Sequence, residues 1–356
     1  MLSKNVGGGF LMSSPIHFEI REGKGTFFDP RKGFEPFSET FQVRIDPLTG
    51  RTGHLSHFGA IRPQKLDLDQ YRRPEIKGFC PFCPDVREKA TPKFPEDVVP
   101  GGRAKRNEAL LIPNLYPYDV YSGVIIMTDD HVVPLQGLTE RILSDTLALG
   151  IEFLRSVKSR DGAPPYPVIT WNYMPPSGGG LVHPHQQCFA TWHPGNQYMD
   201  ELRAAQRFYD AHGVNYWVAL VEEEERIGER YIGRVGGGHW LSSFVSLGVL
   251  GEVMWVLRHV CSIEELTEAV IHELVSGLCR VFSYFRASDI FSFNACLFFG
   301  PTEQHYFSAH FRIIPRTFLN LRDFAPDPNF LQMLMAEPVS VVMPEQVCED
   351  ARRYFS

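Results

Sequence analysis

The chain has 356 residues, of which 44% are hydrophobic and 13% aromatic, and its formal net charge is −7. These values are typical of a folded protein with a large core and exclude an intrinsically disordered chain. An acidic balance gives no general attraction to nucleic acid, so we expect a small phosphate-bearing ligand held by a local site.

The cysteines and the N-terminal residues indicate the cellular compartment of the protein. Seven scattered cysteines do not fit a disulfide framework. The first residues lack the apolar core of a signal peptide, and no stretch reaches membrane-spanning length. We therefore expect a cytoplasmic protein without nucleic-acid or membrane partners.

The sequence indicates an arm or edge segment before residue 41 and a strand and turn after it. Residues 1–40 are rich in Gly, Pro and charge, which predicts an N-terminal arm ordered by the rest of the protein. Phe41-Gln-Val-Arg-Ile45 alternates as a strand does, and Asp46-Pro-Leu-Thr-Gly50 has the composition of a turn that leads to another strand.

Cys80 and Cys83 form a C-x2-C pair, a spacing that lets two thiolates bind one tetrahedral zinc ion. The competing interpretation is a redox pair, but these cysteines lie in a Pro-rich loop rather than at the start of a helix. Because the chain has no second C-x2-C pair, histidines must complete a zinc site. His131 and His183 are the candidates nearest the His-rich run described below.

An internal repeat spans most of the chain. In each copy two strands precede a long helix, and the helix is followed by a strand containing Asn and a strand containing His. The first copy comprises strands 109–112 and 123–127, a helix from Leu138 to about Ser156, and strands 168–172 and 181–191. The second comprises strands from His239 and over 251–257, a helix over 263–285, and strands 291–294 and 305–314.

This duplication predicts an α+β fold with two like halves, each with an antiparallel sheet and one long helix, forming one composite molecule. We assign residues 41–194 to a catalytic half and residues 195–356 to a second half. Within the latter, residues from about 195 to 238 join the two repeats.

The run His183-Pro184-His185-Gln186-Gln187 carries the strongest chemical signal. In a strand over 181–191, His183, His185 and Gln187 share one face, and Pro184 indicates a special backbone arrangement because it cannot donate a ladder hydrogen bond. A neutral imidazole is a nucleophile toward phosphorus, and an amide binds phosphate oxygens without charge. A lone histidine is more often structural, but this combination favours catalysis.

The glycines Gly178, Gly179 and Gly180 directly precede this run. Residues without side chains let main-chain N–H groups approach a diphosphate closely. A flexible turn explains the same composition equally well.

Taken together, these motifs resemble the galactose-1-phosphate uridylyltransferase family of the histidine-triad superfamily. The resemblance runs from about Phe41 to the C-terminus. It depends on Arg44–Gly50 with Ile61-Arg62-Pro63, Cys80-Pro-Phe-Cys83, Asp130-His131, Asn172 eleven residues before His183, His183–Gln187 and Ala309-His310-Phe311.

The resemblance implies that His185 becomes nucleotidylated and that Gln187 contacts the phosphoryl oxygens. It makes Cys80, Cys83, His131 and His183 the ligands of one Zn²⁺ per chain, with the His183 carbonyl also orienting His185. It further implies that Asn114 and Tyr116 hold the nucleoside, that Asn172 lies near the phosphates, and that Arg62 reaches a neighbouring subunit's site, hence a homodimer.

The mechanism that it implies is ping-pong. A nucleoside diphosphate derivative leaves its nucleotide on His185, and a phosphate-bearing acceptor then takes that nucleotide. A UDP-hexose with a hexose 1-phosphate acceptor is the leading interpretation, as in galactose and other carbohydrate metabolism.

Several positions depart from the family pattern. Gly59 replaces an arginine, and Gly180-Leu181-Val182 replaces a Ser-Asn-Pro stretch. The family's second metal site, for iron, is reduced to Glu201 and His310, with Asn294 and Ser308 at its other two positions, so no second metal is expected. Asn329-Phe-Leu-Gln332 replaces the segment that binds the hexose phosphate, which leaves the acceptor open.

Three alternatives therefore stay open. The first is a phosphorylase or adenylyltransferase for an ADP-linked substrate, namely ADP-glucose, diadenosine tetraphosphate or adenylylsulfate. The second is a nucleotide hydrolase, against which Gln187 argues because superfamily hydrolases usually carry a third histidine there. The third is a non-catalytic zinc-stabilised nucleotide-binding protein, against which the intact His185 and Gln187 argue.

Overall fold

A computed structural model describes residues 14–59, 61–301 and 304–356. Its strands are β1 Glu19–Asp29, β2 Glu35–Ile45, β3 Thr52–Leu55, β4 Ala104–Arg106, β5 Ala109–Pro113, β6 Tyr121–Ile126, β7 Tyr166–Tyr173, β8 His185–Thr191, β9 Tyr231–Val235, β10 Gly238–Ser242, β11 Val253–Leu257, β12 Ser292–Phe298, β13 His310–Arg316, β14 Phe318–Asn320, β15 Ala325–Pro326 and β16 Val339–Ser340. Its α-helices are α1 Pro74–Lys77, α2 Arg87–Ala90, α3 Glu140–Lys158, α4 Asn196–His212, α5 Tyr216–Ile227, α6 Glu268–Ala287, α7 Phe330–Met335 and α8 Pro344–Arg352.

The α+β class is confirmed, and one antiparallel sheet unites both repeats. Its ten strands lie in the order β4-β5-β6-β8-β7-β12-β13-β11-β10-β9. Counted outward from the centre, β7-β8-β6-β5-β4 and β12-β13-β11-β10-β9 have the same succession. The predicted internal repeat is therefore present in the topology, and the antiparallel pairing of β7 with β12 joins its two copies.

The two long helices of the repeat begin in the same way. Thr139 precedes α3 and accepts a hydrogen bond from the Ile142 N–H at 3.3 Å, and Thr267 precedes α6 and accepts one from the Val270 N–H at 3.3 Å. Such caps satisfy main-chain donors that have no partner within the helix. The helices contact each other, and α3 also lies against β5, β6, β7 and β8.

The opposite face of the sheet is covered differently in the two halves. In the second half, α4 and α5 supply Tyr198, Tyr216 and Trp217, which pack against Leu241 of β10 and Val256 of β11. The 195–238 stretch thus supplies two helices that cover this face, followed by β9, the edge strand of the sheet.

In the first half, the loop that carries Cys80 and Cys83 covers the corresponding face. Cys80, Phe82 and Cys83 pack against Leu110, Ile112, Val124 and Ile126 of β5 and β6. Among the described residues, no helices comparable to α4 and α5 cover the face that carries the predicted site.

The N-terminal segment contributes a second sheet, in the order β1-β2-β3-β16. The predicted strand at 41–45 is confirmed as the end of β2, and the turn at 46–50 leads to β3 as expected. Residues 1–13 of the predicted arm lie outside the described residues. The boundaries at residues 40 and 194 stay predictions.

Three element boundaries were predicted wrongly. The strand expected from Leu181 begins at His185, and the strand expected from His305 begins at His310. The long helix expected from Ile263 begins at Glu268, because Ile263–Glu265 forms a separate 3-10 turn that ends before Thr267 caps α6. Among the described residues, no helix combines the length and apolar character needed to cross a bilayer.

Candidate functional site

Cys80, Cys83, His131 and His183 lie together beside the end of β6. The potential ligand atoms of these four side chains are all within 4.8 Å of one another. The Nδ1 atom of His183 is 3.7 Å from the Cys80 sulfur and 3.8 Å from the Cys83 sulfur, and Nδ1 of His131 is 3.6 Å from the Cys83 sulfur. Tetrahedral zinc with Zn–S of about 2.3 Å and Zn–N of about 2.05 Å separates S from N by about 3.6 Å. The cluster therefore fits one tetrahedral metal ion.

The His183 ring is held in the tautomer that a metal ligand requires. Its Nε2 lies 2.9 Å from the main-chain oxygen of Thr128, which can only accept, so Nε2 carries the proton. The lone pair of Nδ1 then faces the two cysteines. A hydrogen bond from the non-ligating nitrogen is the usual support of a metal-bound histidine.

Burial keeps both imidazoles of the cluster neutral. It lowers the pKa of His183 to about 4 and also lowers the pKa of His131. Burial raises the pKa of the Cys80 thiol to about 11, so a bound cation would displace this proton. The residues present thus match the set of two thiolates and two neutral imidazoles that a zinc ion takes.

His185 begins β8 and has a fixed orientation. Its Nδ1 donates to the main-chain carbonyl of His183 at 2.7 Å, which leaves Nε2 with a free lone pair. Burial lowers the pKa of His185, although the His183 carbonyl opposes this shift, so the ring is neutral near pH 7. A neutral imidazole with a free Nε2 has the properties of a nucleophile.

His183 does not share a strand face with His185 and Gln187, contrary to the prediction. Pro184 precedes β8, and its carbonyl accepts from the Met127 N–H at 3.0 Å in the β6–β8 register, but Pro184 has no N–H to donate and the ladder ends there. His183 is fully buried beside the cysteines, whereas His185 and Gln187 are half-buried on one face of β8. The special backbone arrangement that Pro184 indicated places one histidine at the metal cluster and the next one at the sheet surface.

Asn172 lies next to His185 on the neighbouring strand. In the ladder between β7 and β8, Thr170 is opposite Gln187. The ladder ends at this pair, and its register, continued by two residues, would bring Asn172 opposite His185, with both side chains on the same face by strand alternation. His185, Gln187 and Asn172 therefore form one polar surface.

The glycine-rich loop continues from β7 and runs along this surface. Gly178 has a φ of +81°, and a side chain at Gly179 would come within 3.3 Å of the Asn172 carbonyl oxygen. Before the loop, Met174 has a φ of +66° and a ψ of 159°, a conformation that non-glycine residues avoid. A side chain at position 179 would therefore be in tight contact with the Asn172 main chain.

Asn114 and Tyr116 lie in the loop between β5 and β6. The Asn114 side chain accepts from the Tyr116 N–H at 3.0 Å, and the Tyr116 ring is 81% exposed. In the same loop, the ring of Tyr118 lies 5.6 Å from the ring of Phe189, which is on the same face of β8 as His185. The loop therefore reaches the polar surface and exposes an aromatic ring beside it.

Arg62 is not brought to this surface within one chain. It is exposed in the segment after β3, and its guanidinium has no hydrogen bond or ion pair with any other described residue. Its predicted role in a partner's site stays a prediction.

In the second half, His310 is the counterpart of His185, and protein side chains bury its ring. The ring of His310 stacks on Trp217 and on Phe298, with 5.1 Å between centroids in each case. Glu201 lies beside His310, and burial would raise the pKa of its carboxyl, but Arg312 and His310 lower it to about 2. The assignment of Asn294 to this site was wrong, because Phe298 is the residue of β12 paired with His310.

Two features of the site were not predicted from the sequence. The ring of Phe82, between the two cysteines, lies 5.2 Å from the His185 ring. Asn294 donates to the Asn172 side chain at 2.6 Å. Both β7 and β12 contain an Asn in the sequence repeat. Only the pairing of these strands shows that Asn172 and Asn294 meet.

Comparisons with known proteins show which proteins share this fold. No protein-family model matches the chain. An uncharacterized protein from Archaeoglobus fulgidus is 28% identical over 322 residues, which cover 88% of this chain and 92% of that protein.

Solved structures match over a similar range. An ADP-glucose phosphorylase from Arabidopsis thaliana, solved with bound ADP-glucose, superimposes with a TM-score of 0.67 at 16% sequence identity. The match covers 88% of this chain and 98% of the phosphorylase chain. A uridylyltransferase has a TM-score of 0.62 at 22% identity, with coverage of 88% and 98%. The resemblance to the galactose-1-phosphate uridylyltransferase family is thus confirmed in the fold.

Proposed function

We propose that the chain is a nucleotidyltransferase in which His185 carries the nucleotide covalently. The observation that carries this proposal is the 2.7 Å hydrogen bond from Nδ1 of His185 to the His183 carbonyl, which leaves Nε2 as a neutral nucleophile. The shared fold with a uridylyltransferase and an ADP-glucose phosphorylase supports it.

The reaction has two displacements at one phosphorus. In the first, Nε2 of His185 forms a P–N bond to the nucleotide, and the bond from phosphorus to the leaving phosphate oxygen breaks. In the second, an oxygen of a phosphate-bearing acceptor forms the new P–O bond and the P–N bond breaks. The Nδ1 proton stays on the ring, where the His183 carbonyl stabilises the positive charge of the intermediate.

The surrounding residues have distinct roles in this proposal. Gln187 and Asn172 bind phosphoryl oxygens, and the main-chain N–H groups of Gly178–Gly180 cradle the diphosphate. Asn114 and Tyr116 hold the nucleoside, for which the exposed Tyr116 ring is a stacking surface.

The metal and the partner subunit are also part of the proposal. Zn²⁺ at Cys80, Cys83, His131 and His183 fixes the carbonyl that orients His185. A homodimer explains the exposed Arg62, whose guanidinium would reach the phosphates of the partner's site.

The substrate class is a nucleoside diphosphate sugar, with UDP-hexose as the leading candidate and ADP-glucose as the alternative. The fold is shared with a uridylyltransferase and an ADP-glucose phosphorylase, so covalent labelling by the two nucleotide sugars has to be compared directly.

Covalent labelling tests the function. The protein is incubated separately with UDP-glucose and ADP-glucose, each labelled at the phosphate next to the nucleoside. We expect acid-labile, base-stable label on the wild type with one of them, and none on His185→Ala. Tight binding of both nucleotides without any label would instead establish a binding protein.

A further inference from the structure

Asn294 lies at the junction of the two halves and contacts three groups. Its Nδ2 donates to Oδ1 of Asn172 at 2.6 Å and to the main-chain oxygen of Ser177 at 2.9 Å. Its Oδ1 accepts from Nη1 of Arg316. The amide thus connects the polar surface, the glycine loop and a residue of β13.

Arg316 is itself held in place. Its Nη2 donates to Oδ1 of Asp327 at 2.6 Å, and its Nε donates to Oδ2 at 3.1 Å. The Asp327 carboxylate is buried, and the Arg316 side chain is 17% exposed. A bidentate pair of this kind fixes the plane of the guanidinium.

These contacts determine which way the Asn294 amide faces. A guanidinium has only donors, so the atom of Asn294 that meets Arg316 must be the oxygen. The Ser177 carbonyl can only accept, so the atom that meets Ser177 must be the nitrogen. Two independent partners therefore impose the same orientation on Asn294.

The orientation of Asn294 in turn determines that of Asn172. Because the Asn294 nitrogen donates to Asn172, the atom of Asn172 on that side must be its oxygen. The Nδ2 group of Asn172 then faces away from β12 and has no hydrogen-bond partner among the described residues. Its two N–H donors are on the surface that carries His185.

We propose that Asp327, Arg316 and Asn294 are positioning residues that force Asn172 to present N–H donors, rather than its oxygen, to the phosphoryl group on His185. This inference rests on the proposed function. It also gives the second half of the chain a role in the reaction, since all three positioning residues belong to that half. With the opposite orientation, the Asn172 oxygen would repel the phosphoryl oxygens.

Asn294→Asp is the sharpest variant because it keeps the size of the side chain and replaces the N–H donor with an acceptor, although it also adds a negative charge. The introduced carboxylate pairs with Arg316 but cannot donate to Asn172, so Asn172 turns its nitrogen toward β12 and its oxygen toward the phosphoryl group. We expect the single-turnover rate of His185 labelling to fall roughly 10- to 100-fold, as for loss of one preorganised donor. Asn320→Asp, an exposed position that keeps its acceptor role, is the matched control.

Two comparisons separate orientation from packing and from added charge. Asn294→Ala removes more atoms but leaves Asn172 free to adopt either orientation, so we expect a smaller loss than for Asn294→Asp, whereas a packing role predicts a larger one. In an Asn172→Ala background, Asn294→Asp should cause no further loss, whereas charge repulsion would persist.

The experiment measures labelling and equilibrium binding with UDP-glucose and ADP-glucose for the wild type and these variants. Wild-type labelling with an unchanged rate in Asn294→Asp, or losses that multiply in the double variant, overturns this inference alone. A wild type that neither binds nor is labelled by either nucleotide overturns the proposed function and this inference with it. Melting temperatures for all variants show that the chains are folded.

Discussion

His310 occupies the position in the second half of the sheet that His185 occupies in the first. Each residue begins its strand, where His185 is opposite Ile126 of β6 and His310 is opposite Val256 of β11. In each, Nδ1 bonds to the carbonyl two residues earlier, at 2.7 Å for His185 and 3.0 Å for His310. The two histidine rings differ in their accessibility to a ligand. Trp217 and Phe298 cover the His310 ring, whereas no such pair covers the His185 ring among the described residues.

The first prediction uses this matched pair. His185→Ala should lower covalent labelling roughly 10³-fold or more, since no other group can carry the nucleotide. His310→Ala should leave labelling within about twofold of wild type and lower the free energy of unfolding by about 3 kcal/mol, because it removes a buried stacked ring. Labelling assays and urea denaturation measure the two effects. Equal loss of label in both variants would contradict the assignment.

The second prediction concerns the metal. Cys83→Ser should reduce zinc content from about one ion per chain to well below one and weaken metal affinity more than roughly 100-fold, since it removes a ligand outright. Cys279→Ser, at a half-buried cysteine on α6 outside the cluster, should keep full zinc content. Elemental analysis of the purified proteins gives the stoichiometry. Wild type with far less than one zinc per chain would refute the site.

The third prediction tests the polar surface beside His185. Gln187→Glu replaces a donor with a carboxylate on the same face of β8, so it should slow labelling about 100-fold through loss of the hydrogen bond and charge repulsion. Gln136→Glu makes the same chemical change at an exposed position in the segment before α3 and should have no effect. Single-turnover rates at saturating nucleotide decide the outcome. An unaffected rate in Gln187→Glu would exclude a phosphoryl contact.

The fourth prediction concerns the buried charges of the second half. The Arg312 guanidinium bonds to Glu201 at 2.6 Å and also to Glu252, and both carboxylates are buried. Arg312→Leu removes the arginine partner of both carboxylates, leaving Glu201 with only His310 and Gln197 and Glu252 with only the Leu247 N–H, and should lower the free energy of unfolding by about 3–5 kcal/mol. Arg322→Leu, whose side chain is 93% exposed in the wild type, should change it by less than about 0.5 kcal/mol. Urea denaturation measures both, and a small effect of Arg312→Leu would refute the interpretation.

The fifth prediction is a dependence of stability on pH. Burial, with smaller contributions from Arg258 and Arg234, lowers the pKa of His239 to about 4. Below about pH 6.5 the His239 ring takes up a proton in the unfolded chain but stays neutral in the folded chain. Burial of the neutral ring therefore contributes its full stabilisation above about pH 6.5, and this contribution is lost as pH falls toward 4. The loss approaches roughly 3 kcal/mol.

His239→Gln should remove this dependence. Denaturation curves at several pH values give the difference in free energy of unfolding between the wild type and the variant. We expect this difference to be constant above pH 6.5 and to shift in favour of the variant as pH falls from 6.5 to 4. A difference that does not change with pH would contradict a neutral buried His239.

Local patterns in the sequence were sufficient for the repeat, for the element types within it and for the residues of the metal cluster, but not for β1, α4 or α5. The C-x2-C spacing and the two histidines were identified without a structure, and all four side chains meet. The start of β8 was placed too early, because alternation continues through His183 whereas the backbone does not. The reason is that Pro184 accepts a hydrogen bond from Met127 in the β6–β8 register but has no N–H to donate, so the ladder ends there.

The tertiary structure alone decided which residues of the two halves meet. Strand pairing is a long-range property, and only the register of β7 with β12 places Asn294 against Asn172 rather than in the site of His310. In the same way, nothing in the spacing of residues 195–238 shows that Trp217 covers His310. The sequence alone therefore determined the repeat and the residues of the metal cluster, since periodicity and ligand spacing are local. The structure decided which half keeps an open histidine, because that depends on the packing of residues distant in the chain.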